Sequence, residues 1–326
     1  MHSFLKLALF LLSLLLMACD QGGTVSGKIS EARLRNDGPP IWVVKDVDST
    51  LYLYGTVHLL SPETAWEKDD MREVFDASGT IFFEVDTSDK SLLDANVLTS
   101  SLGLYRDGQR LSDKLDSYQL KLLDAAVNNA GLTLSAVDSM RPWLASEFLT
   151  VAAATEAGLS PDLSADAALK SRANRLQKNQ LYLDTIESQI RLSADQPEFV
   201  QMILLSETLS GFNAMGSDLT RVANAWAVGS TDFLTTEIIQ AAKVKSPDMY
   251  QALFTDRNTR WANDLTQFLE GSGTGFAAIG IGHLLGEDSL QSRLRDKGYE
   301  VNRYYSFQGA PVIKPAFTPT FTTPED

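Results

Sequence analysis

Two hexapeptides of the chain share one pattern, in which a glycine is followed three positions later by a histidine and two leucines. They span 55–60 and 280–285 and hold His58 and His283, the only histidines beyond the N-terminal segment. Histidine is the one side chain that ordinarily titrates near neutral pH, and it is a common metal ligand. Each hexapeptide follows a strand-like apolar run, so we expect both imidazoles to lie at strand ends.

Glu84 is the best candidate for a third functional group. It ends the apolar run 81–83, where an unpaired carboxylate costs free energy unless it has a function. With His58 and His283 it would form a catalytic site for a divalent metal ion, which activates water and polarises a carbonyl. Manganese, cobalt, zinc or iron would suit these donors. Asp86, two residues further on, would orient a histidine from the second layer of the site.

The same residues have other interpretations. A histidine or a glutamate at a strand end is often a hydrogen-bonded structural residue. Glu84 could also act as a general base in a metal-free hydrolysis, with the histidines as proton carriers. The glycine-rich segment 271–275 precedes a strand and lacks the lysine of a phosphate loop, so we predict no organic cofactor site. The G-x-S-x-G pattern of serine hydrolases is absent from the sequence.

The composition and the N-terminal sequence limit which partners and which cellular location the protein can have. The chain has 326 residues and a formal net charge of −14 at pH 7, which argues against a nucleic-acid partner. Residues 1–18 predict a signal peptide whose apolar core is short for a membrane span. Cys19, the only cysteine, follows a lipobox-like Leu-Met-Ala, so we predict lipidation at Cys19 and a flexible tether over 19–38. The domain would then lie in the periplasm, held at the bacterial cell envelope by N-terminal acyl chains.

Strand-like runs concentrate at the two ends of the chain, with helical patterns between them. We predict a hairpin over 41–45 and 51–54, and strands over 80–85, 180–183, 276–281 and 301–305. We predict helices over 62–77, 114–129, 143–157, 163–175, 199–209, 232–242, from 256 to Gly271, and over 284–297. The predicted fold class is α/β with an α+β-like arrangement: a mixed β-sheet core built from N- and C-terminal segments, with a large helical insertion over about 90–250. We assign 39–308 to one domain and the proline-rich 309–326 to an extended tail.

Three segments resemble the motifs of a known family. Residues 52–58, 82–86 and 278–284 read Tyr-Leu-Tyr-Gly-Thr-Val-His, Phe-Phe-Glu-Val-Asp and Ala-Ile-Gly-Ile-Gly-His-Leu. They resemble the TraB/GumN family, whose superfamily includes the pheromone-shutdown protein PrgY and the Tiki proteins. The superfamily is related to erythromycin esterases and to the ChaN haem-iron lipoproteins. The resemblance extends over residues 40 to 305.

A further family element, Arg-Asn, is matched by Arg257 and Asn258. The chain also departs from the family pattern. Asp184 stands where the family usually has a glutamate, and Ser230 stands where it usually has an aspartate. Asp184 keeps the negative charge on a shorter side chain, whereas Ser230 loses the charge.

The resemblance implies a metal-dependent peptidase or hydrolase of the cell envelope, acting on a peptide or protein substrate. It implies that His58, His283 and Glu84 are the active-site residues. It also implies that Arg257 binds a substrate carboxylate or stabilises an oxyanion; the alternative for Arg257 is a structural ion pair on the surface or in the core. The alternative is a non-catalytic lipoprotein that binds a peptide, haem or iron. The sequence leaves open whether the chain is an enzyme, which metal it uses and what its oligomeric state is.

Overall fold

A mixed six-stranded β-sheet lies at the centre of the molecule. The computed structural model describes residues 38–307 and 310–311. The strands are β1 (Ile41–Lys45), β2 (Ser49–Thr56), β3 (Thr80–Phe83), β4 (Asn179–Tyr182), β5 (Gly273–Gly280) and β6 (Glu300–Tyr304), and a separate pair is formed by β7 (Ser306–Phe307) and β8 (Ala310–Pro311). The order across the large sheet is β4–β3–β5–β2–β1–β6. The predicted α/β class, with a mixed sheet built from both ends of the chain, is confirmed.

Four neighbouring strands of this sheet run parallel. β4 pairs with β3, β3 with β5, and β5 with β2, all in parallel register. β1 is antiparallel to both of its neighbours, β2 and β6. Thr56 lies opposite Gly280 at the end of the β2–β5 pair, so the two histidine-bearing loops leave adjacent strands at the same edge.

Helices cover the sheet and form most of the chain between β3 and β5. They are α1 (Asp69–Ala77), α2 (Asp89–Gly103), α3 (Ser117–Asn129), α4 (Pro142–Glu156), α5 (Ala165–Arg175), α6 (Ile186–Ala194), α7 (Glu198–Ala227), α8 (Thr231–Leu234), α9 (Ala241–Lys245), α10 (Pro247–Tyr250), α11 (Asp256–Leu269) and α12 (Leu290–Asp296). Two π-helical segments, Thr235–Gln240 and Gln251–Thr255, adjoin α8 and α11. Within the described residues, no helix is long and apolar enough to cross a membrane.

Two large hydrophobic clusters share the helix α7. The sheet cluster contains the strand side chains together with Val222, Ala223 and Trp226 from the C-terminal part of α7. The cover cluster is formed by α3, α4 and the middle of α7, including Phe212 and Met215. A long helix that buries side chains in both clusters connects the cover to the sheet.

The predicted helix over 62–77 is shorter than expected and begins at Asp69. Trp66 is buried before this helix and packs against the rings of Trp226 and Tyr54 at centroid distances of 5.6 and 6.3 Å. This tertiary contact holds the preceding segment in a turn rather than in a helix.

The predicted helix over 284–297 is also shortened, to α12. Residues Ile281–Leu284 form a 3₁₀ turn that carries His283, and Gly286 follows with a φ of +76°. This left-handed conformation favours glycine and ends regular helical geometry. By contrast, the predicted helix over 199–209 extends through the single helix α7.

Several predictions fall on residues that the structure does not describe. They are the signal peptide over 1–18, lipidation of Cys19 and almost all of the tether over 19–38. Most of the tail over 309–326 also lies outside the described residues, and Ala310 and Pro311 pair with β7.

Candidate active site

The four parallel strands all deliver a polar side chain to the same edge of the sheet. His58 follows β2, Glu84 follows β3, Asp184 follows β4, and His283 follows β5. The carboxyl edge of parallel strands is where α/β proteins commonly bind their ligands. The sequence-based placement of His58, Glu84 and His283 at strand ends is therefore what the structure shows.

His58 is held by an aspartate from α5. Its Nδ1 lies 2.9 Å from Oδ2 of Asp166, and the other oxygen of Asp166 accepts a hydrogen bond from Thr56 Oγ1 at 2.8 Å. An ionised carboxylate accepts the Nδ1 hydrogen, so the Nε2 atom of neutral His58 carries the lone pair. Burial lowers the pKa of His58, but the charge and hydrogen bond of Asp166, with the charge of Glu84, outweigh it and raise the pKa above 6.5.

The start of α5 is fixed against the first histidine loop. Ser164 caps the helix by accepting a hydrogen bond from the backbone N–H of Ala167 at 3.1 Å. The backbone N–H of Ala165 donates to the carbonyl of Val57, next to His58. Because both ends of the His58–Asp166 contact are anchored in this way, the imidazole has a defined orientation.

Glu84 is almost completely buried and both of its oxygens are engaged. Oε1 accepts a hydrogen bond from the backbone N–H of Gly280 at 2.7 Å, and Oε2 accepts one from Nη2 of Arg257 at 2.8 Å. A Cβ atom on Gly280 would lie 2.9 Å from Oε1 of Glu84 and 3.5 Å from Nε2 of His58. Glycine at this position therefore lets Glu84 and His58 converge on the end of β5.

The Arg-Asn pair at the start of α11 holds His283. Nη1 of Arg257 lies 3.0 Å from Nε2 of His283, and Oδ1 of Asn258 lies 2.7 Å from its Nδ1. Arginine only donates, so Nε2 is the acceptor and Nδ1 carries the hydrogen. Burial, followed by the charges of Arg257 and His58, holds the pKa of His283 well below 6.5. His283 is consequently a neutral imidazole that positions Arg257.

Arg257 is 3% exposed and lies at the centre of this network. Its Nε donates to Oδ2 of Asp184 at 2.8 Å, and its guanidinium carbon lies 4.4 Å from the ring centroid of Trp261. The ring of His283 packs against the same tryptophan at 4.3 Å. A buried guanidinium needs paired carboxylates, and here Glu84 and Asp184 supply them.

A cleft of about 320 Å³ opens beside these residues. Its polar wall includes His58, Glu84 and Asp166, whereas Phe83 and Leu92 contribute apolar surface. Arg257 and His283 are both more than nine-tenths buried and support Glu84 from the side of α11. The groups that a bound molecule would meet are therefore the His58–Asp166 pair and Glu84.

The predicted metal ligands do not fit a metal ion in this arrangement. Nε2 of His283 faces Arg257, and both oxygens of Glu84 are hydrogen-bonded, one of them to the same guanidinium. In the part of the chain that the structure describes, no group of three histidine, cysteine, aspartate or glutamate side chains could hold a metal ion. A metal ion at this place would have to displace the guanidinium, because two cations repel one another at this distance.

The structure assigns the orientation of His58 to a residue that the sequence did not single out, whereas His283 is held by the Arg-Asn pair that the sequence did identify. We predicted Asp86 for this role, but the carboxylate on Nδ1 of His58 belongs to Asp166. Asp86 instead accepts hydrogen bonds from Ser88 and Ser91 near the start of α2. Asp166 lies in the first turn of α5, where an acidic residue is common because it favours the start of a helix. The local sequence therefore gave no sign that Asp166 belongs to the site.

Comparison with known proteins places these observations in a family. A sequence model of the TraB/PrgY/gumN family matches residues 40–303, which include every site residue described above. Comparison with curated proteins and with solved structures gave no significant match. The match covers most of the 326 residues and agrees with the resemblance of the three strand-end motifs. This chain therefore belongs to the TraB/PrgY/gumN family.

Proposed function

We propose that this protein is a hydrolase that cleaves a peptide bond in the cleft, with His58 as the general base that activates water. The observation that carries this proposal is the buried His58–Asp166 pair on the cleft wall, next to Glu84. A histidine that is oriented by an aspartate through Nδ1 is a recurrent means of presenting Nε2 as a base. The raised pKa of His58 strengthens it as a base.

Glu84 supplies a fixed negative charge beside the reacting atoms. Arg257 and the Gly280 N–H both donate to it, and these two hydrogen bonds fix the position of the carboxylate. In this mechanism Glu84 stabilises the protonated His58 that forms after water has been deprotonated. Arg257 positions Glu84, and His283 positions Arg257.

A metal-dependent form of this hydrolysis is a separate proposal, and it requires Arg257 to move. A divalent metal ion at His58, His283 and Glu84 would require Arg257 to leave Nε2 of His283 and Oε2 of Glu84. Elemental analysis of the purified protein tests this version. One equivalent of manganese, cobalt, zinc or iron, lost in the His58→Ala/His283→Ala double variant, would support it. Full activity of metal-free protein would contradict it.

Peptide hydrolysis is tested with a library of internally quenched fluorescent peptides. We expect the wild-type protein to cleave some of them, and His58→Ala to lower kcat/KM by about 10²-fold or more. Glu84→Gln should lower turnover while the fold, followed by circular dichroism, is preserved. Lys121→Met, an exposed position on α3, is the matched control and should retain activity.

Two results would contradict this assignment. Unchanged turnover in Glu84→Gln would remove Glu84 from the mechanism. Binding of a peptide, haem or iron by wild-type protein, without turnover of any substrate in the library, would support the non-catalytic alternative instead.

We also propose that the protein acts in the bacterial cell envelope, with the domain in the periplasm and acyl chains on Cys19. The support is the lipobox-like sequence that ends at Cys19, after an apolar run of signal-peptide length. A single acyl chain gives only marginal binding to a bilayer, and a second chain makes the anchoring stable. We expect Cys19→Ser to move the protein from the membrane fraction to the soluble fraction. Equal membrane retention of the variant would contradict lipid anchoring.

A further inference from the structure

One lysine occupies a distinctive place in the cleft. Lys170 lies on α5 four residues after Asp166, so the two side chains project from the same face of the helix, one turn apart. Both line the cleft, together with His58 and Glu84. Among the described residues that line it, Lys170 is the single lysine or arginine, whereas Glu84, Asp162 and Asp166 are acidic.

The ammonium group of Lys170 is held in a mostly buried setting. Its side chain is 15% exposed, and Nζ lies 4.4 Å from the ring centroid of Tyr182 and 5.1 Å from that of Phe83. The two rings fix the position of the cation through cation–π attraction. A lysine whose only task was solubility would extend into water instead.

The existing partners of this ammonium leave binding capacity. It donates one hydrogen bond, to Oη of Tyr182, and forms an ion pair with Asp86, whose nearest oxygen lies 3.7 Å from Nζ. An ammonium has three donors. Burial lowers the pKa of Lys170, and the interaction with Asp86 opposes that change.

We propose that Lys170 is a specificity residue that binds a carboxylate of the peptide substrate, next to the bond that is cleaved. This inference rests on the proposed peptidase function. Four residues of helix separate Lys170 from Asp166, about 6 Å along the axis, and an extended peptide advances about 3.4 Å per residue. The carboxylate therefore belongs to an acidic side chain or a chain terminus within one or two residues of the scissile bond. The carboxylates of Glu84, Asp162 and Asp166 repel it elsewhere in the cleft, and at Lys170 it would share the ammonium with Asp86.

The proposal is tested by comparing matched peptides. One pair carries glutamate or glutamine beside the scissile bond, and a second pair ends in a free carboxylate or an amide. In one of the two pairs, we expect wild-type protein to cleave the acidic peptide with a kcat/KM about 10-fold or more above that of the neutral peptide. A factor of this size corresponds to the free energy of one charge-assisted hydrogen bond. The pair that shows the preference identifies the source of the carboxylate. Lys170→Met should abolish the preference, Lys170→Arg should keep part of it, and the exposed Lys121→Met should leave it unchanged.

A binding measurement separates failure of this inference from failure of the proposed function. Isothermal titration calorimetry measures the affinity of wild type and of Lys170→Met for two pairs of ligands. The α-amides of N-acetyl-glutamate and N-acetyl-glutamine test an acidic side chain, and N-acetyl-alanine and its amide test a free chain terminus. The first outcome is that no peptide is cleaved, but wild type binds an acidic ligand about 10-fold more tightly than its amide and Lys170→Met does not. The lysine subsite is then supported and the hydrolase is contradicted. If peptides are cleaved with the same acid preference in wild type and Lys170→Met, the hydrolase stands and the lysine subsite is overturned. Equal binding of acid and amide by wild type, with no preference in cleavage, also overturns it.

Discussion

The two site histidines have opposite electrostatic surroundings. His58 faces the carboxylates of Asp166 and Glu84, which raise its pKa, whereas His283 lies against the Arg257 guanidinium in a buried position that lowers its pKa. One imidazole can therefore exchange a proton near neutral pH while the other stays neutral. The two matching sequence motifs consequently perform different tasks, and the difference comes from the residues that each ring meets.

Removal of the Asp166 charge provides a test of the base assignment. A general base acts only when it is deprotonated, so activity should rise with pH through the pKa of His58, with a midpoint above 6.5 in wild type. Asp166→Asn removes the main contribution that raises this pKa. We expect the midpoint of kcat/KM to move to lower pH, and the maximal rate to fall by about 10²-fold or more because the tautomer is no longer fixed. The measurement is a pH–rate profile of both proteins.

Asp162→Asn is the matched control for that profile. Asp162 also lines the cleft, but it is exposed and its charge is screened by water. Its removal should shift the midpoint much less than Asp166→Asn does. Equal midpoints in wild type and Asp166→Asn would show that His58 is not the group that titrates.

Glu147 offers a residue-scale prediction about stability. It is buried in α4, accepts one hydrogen bond from Ser193, and burial raises its pKa to about 8. In the unfolded chain a glutamate titrates near 4.5. Between these two values the folded protein holds a proton that the unfolded chain has released, so stability falls as pH rises. We expect Glu147→Gln to be about 2–4 kcal/mol more stable than wild type at pH 8 and nearly equal at pH 5.

Urea unfolding at both pH values measures this difference. Glu156→Gln is the matched control, because Glu156 lies in the same helix but is exposed. It should leave the stability at either pH within about 0.5 kcal/mol of wild type. A constant difference between Glu147→Gln and wild type across pH would contradict a buried, protonated Glu147.

At the scale of elements, the close approach of loops explains why the two motifs contain glycine. Gly55 faces the side chain of Ile281 from the second histidine loop, and a Cβ on Gly282 would lie 2.6 Å from the ring of Phe254. Trp226, at the end of α7, donates a hydrogen bond from its indole to the carbonyl of Gly55. Larger residues at these positions would separate the loops that carry His58 and His283.

Gly280→Ala is the sharpest test of this packing. The new Cβ would lie 2.9 Å from Oε1 of Glu84, so the carboxylate must move away from the Gly280 N–H. We expect kcat to fall by about 10-fold or more, and the stability to fall by about 1–3 kcal/mol, as for other overpacked sites. Gly79→Ala is the control, since its Cβ would make only an ordinary contact of 3.8 Å with Thr274 O. Equal activity in the two variants would contradict the assigned role of Gly280.

The sequence predicted elements better than it predicted the partners of the site residues. The hairpin and the strand ends with His58, Glu84 and His283 follow from local apolar runs and glycines, and the structure places them as expected. His58 and Asp166 are 108 residues apart, and Glu84 and Arg257 are 173 residues apart. No local periodicity encodes such pairings, because they depend on which strands become neighbours and where α5 and α11 pack. The later start of the helix after Trp66 has the same cause, a tertiary contact that overrides local propensity.

At the scale of the whole molecule, α7 joins the cover helices to the sheet. Its middle buries Phe212 and Met215 in the cover cluster, and its end buries Trp226 in the sheet cluster and bonds Gly55 of the first histidine motif. The helix α5 also connects the two parts of the site, since it carries both Asp166 and Lys170. Because α5 buries Ala165, Leu169 and Ala173 in the sheet cluster, the packing of this helix on the sheet positions both residues.

This connection predicts that the described domain unfolds as one cooperative unit. A Trp143→Phe variant removes the tryptophan that packs with α2 and α6, so the remaining fluorescence, from Trp42, Trp66, Trp226 and Trp261, reports on the sheet cluster. Far-UV circular dichroism reports on the helices of both clusters, including α3 and α4 of the cover. In urea we expect both signals to change with one midpoint, because α7 cannot lose its packing in one cluster and keep it in the other.

Met215→Ala in the same background makes the test decisive. Met215 is buried in the cover cluster, and its truncation should cost about 2–3 kcal/mol. Although Met215 lies outside the sheet cluster, its loss should move the fluorescence midpoint and the dichroism midpoint by the same amount. Phe199→Ala, an exposed position on the same helix, should move neither midpoint appreciably. If Met215→Ala lowers only the dichroism midpoint, the cover unfolds independently of the sheet, and α7 does not couple them.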